Sequence, residues 1–251
     1  QTRSAFALAA CACGVLWLSG CAQAPQGGAA APETGIASTT PSAGLLVTPA
    51  QSVPWSPLLW PGKHNVPFVA TQHQGRKALR VSANKSMSIL RQPLRAAPVQ
   101  AGRIEFSWAV DGLLREADIG VAGQDDAPVR VVLAFDGDRS RLSDRALRLS
   151  DLSQALTGEP LPYATLMYVW SNHRAVDSVI VNPRTDRVRK MVVESGPGHL
   201  MQWRRYERDV RADFEKAFGE APGALVGVAI MTDSDNTRGN VRAWYGDIRF
   251  D

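Results

Sequence analysis

Several stretches of this chain alternate apolar and polar residues with a period of two. In "RIEFSWAV" the apolar set is Ile104, Phe106, Trp108 and Val110; in "VRVVLAFD" it is Val129, Val131, Leu133 and Phe135. A period of two puts each set on one face of a β-strand. "TLMYVWSN" is apolar on both faces, which predicts a central strand covered on each side. "RKMVVES" and "ALVGVAIMTD" are of the same kind. "NVRAWYGDIRF" predicts Trp244, Ile248 and Phe250 on one face, with Gly246 between them. "KALRVSA" and "SMSILRQ" flank Asn84 and read as the arms of a hairpin. The runs are short, rich in Val, Ile and aromatics, and separated by Gly, Pro, Asn and Asp.

Two segments follow a helical period instead. "SRLSDRALRLSDLSQALTG" carries Leu142, Ala146, Leu149, Leu152 and Leu156, and ends at Gly158 and Pro160. "ERDVRADFEKAFGEAP" carries Val210, Phe214, Ala217 and Phe218, and stops at Gly219. Each stripe predicts one amphipathic helix packed on a sheet by its apolar side. Roughly ten strands and two inserted helices predict a mainly β domain: an antiparallel β-sandwich, jelly-roll-like. There is no βαβ rhythm, no glycine-rich phosphate loop and no internal repeat.

Composition divides the chain. Residues 1–20 hold Arg3 and the uncharged apolar run "AFALAACACGVLWLSG", which is too short to span a membrane and reads as a secretory signal. "LSGC" resembles the lipobox of bacterial lipoproteins. The resemblance implies that Cys21 is lipidated and anchors the protein to a membrane; an ordinary signal cut elsewhere is the alternative. Ala22 after the cysteine implies, by analogy with such proteins, the outer membrane of a Gram-negative bacterium. Residues 21–52, rich in Ala, Pro, Gly, Ser and Thr, read as a flexible tether. Residues 53–251 are one domain of ordinary size. The cysteines are Cys11, Cys13 and Cys21. The domain beyond the tether therefore has no disulfide, no cysteine-bound zinc and no cysteine nucleophile. The charge is +4, from 28 Lys and Arg against 24 Asp and Glu. Acidic residues are interleaved with the basic ones, and no nucleic-acid partner is expected.

Little in the sequence names a reaction. HExxH, GxSxG and SxxK are absent. A glycosidase needs only two carboxyl groups flanking a sugar, which leaves no local motif. Glu194, Asp126 and Asp233 lie near the ends of apolar strands and are the catalytic candidates. The alternative is that each caps a turn or pairs with an arginine such as Arg189 or Arg208. "DSDNTRGN" offers Asp233, Asp235 and Asn236 as oxygen donors for a structural calcium ion, the one cofactor considered. It departs from the helix-loop-helix calcium pattern, and a polar loop with Asx turns is the other reading. Trp170 and Asn172 in "YVWSNH", and Trp203 in "MQWRRY", are the candidates for a sugar-stacking platform.

"PYATLMYVWSN", "NPRTDRVRKMVVESG", "WRRYERDVRADFEKAFGEAP" and "GVAIMTDSDNT…AWYGDIRF" resemble a bacterial family, domain of unknown function 3047. The resemblance implies an exported, single-domain β-sandwich and no particular activity. The opening "WSPLLWPGKHNVPFVATQHQGRKALRVSANKSMS" and the ending "AWYGDIRF" resemble strands of galactose-binding-like modules at the level of fold. Three functions stay open. The first is a non-catalytic module binding a glycan or envelope polymer. The second is an accessory lipoprotein binding another envelope protein. The third is a polysaccharide hydrolase using paired carboxylates. The balance leans away from an enzyme.

Overall fold

A computed structural model describes residues 46–47, 55–94 and 102–251. The expected signal, Cys21 and the expected tether lie outside these residues, apart from Leu46–Val47. Thirteen strands and two α-helices are present. In chain order they are β1 (Leu46–Val47), β2 (Ser56–Pro57), β3 (Val69–His73), β4 (Arg76–Asn84), β5 (Met87–Pro93), β6 (Arg103–Val110), β7 (Ala127–Phe135), α1 (Asp144–Thr157), β8 (Ala164–Ser171), β9 (Val179–Asn182), β10 (Thr185–Ser195), β11 (Arg204–Asp209), α2 (Val210–Phe218), β12 (Leu225–Asp233) and β13 (Asn240–Phe250). One sheet has the order β11-β6-β13-β4-β3, with β1 beside the second half of β13; the other runs β2-β5-β12-β7-β8-β10-β9. The fold is mainly β, a sandwich of two sheets that are antiparallel at nearly every pair.

The alternation read from the sequence builds the core directly. Every apolar residue of the β6 and β7 sets is buried between the sheets. β8 lies between β7 and β10 and is buried almost throughout. Helix α2 starts from its N-cap Asp209, ends at the left-handed Gly219, and lays Val210, Phe214 and Ala217 over the core. Its Phe214 meets Phe135 edge-on and Phe218 face-on.

Four expectations are corrected. First, β4 and β5 are not a hairpin: they belong to different sheets. Lys85 takes a left-handed φ of 48°, and the chain crosses there from one sheet to the other. The crossing is held by buried Ser86, whose amide donates to Ser234 Oγ (3.1 Å). Second, β8 and β10 pair in parallel, because β9 intervenes and β10 returns between them. Third, helix α1 buries Ala146, Ser150 and Ser153 instead of its leucines. Leu152 and Leu156 are exposed, and Leu142 and Leu149 only half-buried. The buried face is small and hydrogen-bonded: Arg139 Nη2 donates to Ser150 Oγ (2.7 Å) and Ser153 Oγ donates to the Glu159 carbonyl (3.0 Å). Fourth, Trp244 does not share a face with Ile248 and Phe250. A bulge between Tyr245 and Ile248 shifts the phase, so Tyr245 joins them in the core and Trp244 points out. Gly246 sits in that bulge, where a Cβ would lie 2.3 Å from Ser107 Oγ.

The phase shift gives Tyr245 its role. Its buried hydroxyl crosses from β13 to the opposite sheet and donates to the Met231 carbonyl of β12 (2.6 Å). The β12–β7 ladder is interrupted beside it: Met231 pairs with Arg130 and Asp233 with Ala127, so Thr232 faces both Pro128 and Val129. Pro128 has no N–H to give a ladder, which suits it to a bulge. Thr232 Oγ1 donates to the Pro128 carbonyl (2.8 Å) and lies 2.8 Å from the Tyr245 hydroxyl. Tyr245→Phe leaves the buried Met231 carbonyl without its donor. The expected cost is about 1–3 kcal/mol with little change of m-value, read by urea denaturation. An unchanged midpoint would show that the carbonyl has another partner.

Candidate functional site

The β7 start and the β8, β10 and β12 ends lie at one rim of the seven-stranded sheet, since Asp233 pairs with Ala127 and Glu194 with Trp170. Of the three catalytic candidates, Asp126 and Asp233 are brought together, with oxygens within 4.8 Å, whereas Glu194 stands apart from Asp233. Glu194 on β10 is three strands from Asp233 on β12, about 14 Å at the usual strand spacing. They also belong to separate networks.

Glu194 is buried and turned toward the first sheet. Its Oε1 accepts from the Ser195 amide (3.3 Å) and lies 3.2 Å from His199 Nδ1. Its Oε2 accepts from Arg204 Nε (2.9 Å) and the Tyr206 hydroxyl (2.8 Å). Burial opposes the charge, but the hydrogen bonds from Tyr206, His199, Arg204 and Ser195 outweigh it and hold the carboxyl below its ordinary range. Arginine pairing was foreseen; the arginine is Arg204 on β11, and not Arg189 or Arg208.

Asp126 anchors the loop after β12. Its Oδ1 accepts from the Asn236 carboxamide (2.8 Å) and amide (3.3 Å), and its Oδ2 from the Thr237 hydroxyl (2.6 Å) and amide (2.8 Å). Against the cost of burial, these bonds keep its carboxyl below the usual range. Asn236 is thus a donor that positions Asp126, and its carboxamide Nδ2 also donates to Asp125 Oδ1 (3.3 Å). Beside this anchor, Asp126, Asp233 and Asp235 each bring an oxygen within 4.8 Å of the others. Asp233 pairs with Arg130 through Oδ2 (3.1 Å), and Asp235 with Lys63 through Oδ2 (2.6 Å). The Oδ1 atoms of both are buried without a hydrogen-bond partner. Burial pushes the Asp233 carboxyl up to about 6, with Arg130 opposing and the charges of Asp126 and Asp235 adding to the rise. Behind the cluster, buried Lys190 donates to the Ile119 carbonyl (2.6 Å) and lies 3.6 Å from Asp125. Burial, with Arg130 nearby, lowers it to about 8.

The aromatic candidates make no common platform. Trp170 is wholly buried in the core and donates through Nε1 to the Gly196 carbonyl (3.0 Å), so it offers no face to a sugar. Asn172 Nδ2 is committed to the Leu114 carbonyl (2.6 Å). Trp203 lies half-buried on the far face of the other sheet, packed with Trp244 and covered by the Arg76 guanidinium at 4.3 Å.

A groove with a mainly apolar lining was not foreseen. The groove, of about 320 Å³, runs over the outer face of the seven-stranded sheet beside α1. Leu58, Trp60, Met87, Ile89, Val132 and Met167 are among its lining residues, and the Arg91–Glu159 ion pair (2.6 and 2.7 Å) stands at its side. Its signal lay in two of the three runs read as apolar on both faces. In β8 and β12 one face is core; the other supplies the floor of the groove.

The model of the family described as "Protein of unknown function (DUF3047)" matches residues 53–249. The chain belongs to the DUF3047 family. Among solved structures, the DUF3047 chain is similar to the K2 cleaved adhesin domain of Lys-gingipain, with 11% identity, a TM-score of 0.37, and cover of 83% of this chain and 99% of that one. It is also similar to the family 11 xylanase from Neocallimastix patriciarum, with 12% identity, a TM-score of 0.27, and cover of 72% and 81%. No curated protein matches it. Likeness at this level carries no function across.

For this DUF3047 domain, the Glu194 network predicts a pH-dependent cost. A carboxyl held below its ordinary range stabilises the fold above its unfolded pKa, and that contribution is lost as pH falls through its folded value. Glu194→Gln should cost about 1–3 kcal/mol at neutral pH. The gap from wild type should close progressively below about pH 4.3. Denaturant melts across that range check it; a gap constant with pH would refute the assignment of charge.

Proposed function

We propose that this domain is a non-catalytic binding module whose ligand face is the groove on the outer side of the seven-stranded sheet, and that the ligand is apolar, of the acyl-chain class. The observation that carries the proposal is the lining: aliphatic and thioether side chains from β5, β7, β8 and β12, with Trp60 as its one aromatic ring. A volume of about 320 Å³ falls in the range of ligand sites. Glycan sites use several ring faces among hydrogen-bonding groups; here Trp60 is the one ring, and groups such as Arg91, Gln92, Glu159 and Asn182 stand beside a mainly apolar surface. The groove therefore favours the hydrocarbon portion of an envelope component over its sugar portion.

The carboxylates support binding more than catalysis. A general acid needs a carboxyl whose pKa is raised toward neutrality and which can reach a substrate. Glu194 is held the other way, by four donors. Asp126 is held below its usual range by donors from Asn236 and Thr237. Asp233 is raised to about 6, but it is buried and paired with Arg130, out of reach of a substrate. The expected lipid on Cys21 and location at the outer membrane join this proposal: a module tethered there would meet acyl chains of neighbouring lipids or lipoproteins. Among the described residues, no helix is long and apolar enough to cross a membrane.

A fluorescent long-chain fatty acid is the probe. It should bind with micromolar affinity and resist competition by a soluble oligosaccharide. Val132→Asp and Met167→Asp place a charge on half-exposed floor positions and should each weaken binding at least about tenfold, without loss of fold by circular dichroism. Equal binding by both variants, or displacement by the oligosaccharide, would refute the proposal.

A further inference from the structure

The geometry points to a divalent-cation site, of the calcium class, formed by Asp126, Asp233 and Asp235 at the rim of the sandwich. It is separate from the groove and does not depend on what the groove binds. The three residues come from the lead into β7, the end of β12 and the loop that follows. Their oxygens lie within 4.8 Å of one another. Oxygens on opposite sides of one calcium ion are separated by about the same span, twice a bond of about 2.4 Å.

Acidic clusters are common without an ion, so the state of each oxygen decides. Asp233 is only 6% exposed. One of its oxygens is held by Arg130, and the other, Oδ1, is buried with no hydrogen-bond partner. Leaving a buried carboxylate oxygen unpaired is costly. Asp235 repeats the arrangement: Lys63 holds one oxygen and the other is a buried orphan. Each carboxylate is thus fixed by one oxygen and bare at the other. Asp126 supplies the third side from the lead into β7; its oxygens accept from Asn236 and Thr237, which fixes the carboxylate, and an ion would share those oxygens. Three carboxylates stand against Arg130 and Lys63, and behind them Lys190 is matched by Asp125, so the cluster keeps a negative balance, the sign a cation requires. Carbonyls and waters would complete the six to eight oxygens that calcium takes.

Calcium chloride titrated calorimetrically into chelator-treated protein tests the site, with melting temperature as the second readout. Binding should be one ion per chain and should raise the melting temperature by about 5 °C near saturation. Asp235→Asn, which keeps the shape of a side chain only 12% exposed, should abolish both signals; Asp233→Asn should do the same. Absence of heat and of any shift in the wild type overturns the proposal. Retention of both signals in the two variants overturns the location. Calcium leaving the wild type unmoved while Asp233→Asn melts higher also overturns it, because a proton rather than an ion then relieves the orphaned oxygens. An equal effect of magnesium overturns the calcium class, since magnesium favours a smaller, more hydrated octahedron.

Discussion

The hydroxyl of Tyr245 is the point on which the rim of this sandwich depends. Apolar side chains hold two sheets together without direction, and such packing alone does not set one sheet against the other. The Tyr245 hydrogen bond to Met231 does, because a buried carbonyl accepts a donor from only a narrow set of positions. It reaches the opposite sheet where Pro128 has broken the β12–β7 ladder. The gap in one sheet is met by a polar tip from the other, with Thr232 completing the set. The bulge adds one residue to β7 opposite Thr232, and just past it Asp233 lies beside Arg130 and Asp126. A proline on β7 and a tyrosine on β13 thereby govern where carboxylates on two other segments stand.

Polar and apolar chemistry share one face of the seven-stranded sheet. The groove floor ends near Met231, and the Sδ of Met231 lies 3.3 Å from the guanidinium of Arg130, whose next contact is Asp233. A buried cation here separates an oily surface from an acidic one across a single side chain. Charges removed from water must be paired or they destabilise the fold. Arg130 meets this with Asp233 and the Asp125 carbonyl, and Lys190 with the Ile119 carbonyl and Asp125. Trp60 lines the groove, and Lys63, whose amide bonds the Trp60 carbonyl, pairs with Asp235. The two regions are therefore linked by a short turn as well as by Arg130.

The architecture was legible where one rule acts alone. β6, β7 and α2 each carry a single period, and their buried sets match it. Legibility failed where a local irregularity resets the phase. The bulge at Gly246 put Trp244 on the outer face of its sheet, buried against His73 and Trp203, and the crossing at Lys85 separated two strands that looked like a hairpin. In α1 the leucines and the small residues share the same helical period. Only the contact with neighbouring elements decides which of them faces inward, and here Ala146, Ser150 and Ser153 do. The rim was half legible. Asp233 and Asp235 stand together in sequence, but their third partner, Asp126, precedes them by more than a hundred residues, a separation at which no spacing rule operates. The groove was hidden by a sound argument pressed too far. A strand apolar on both faces is covered on both faces in most sheets, whereas in β8 and β12 the second face is open enough to form a floor.

Strand order carries a consequence for how the chain reaches this structure. β12 lies between β5 and β7, and β13 lies between β6 and β4, so the strands latest in the described sequence are internal to both sheets. Each sheet emerging in order from its beginning has a slot waiting, with unpaired edges on either side. Such edges recruit strands from other chains until they are filled. The fold is therefore completed as one late event spanning the whole domain, with long loops to close and a high contact order. Until β12 and β13 arrive, the edges of β5, β7, β4 and β6 that they fill have no partner from this chain.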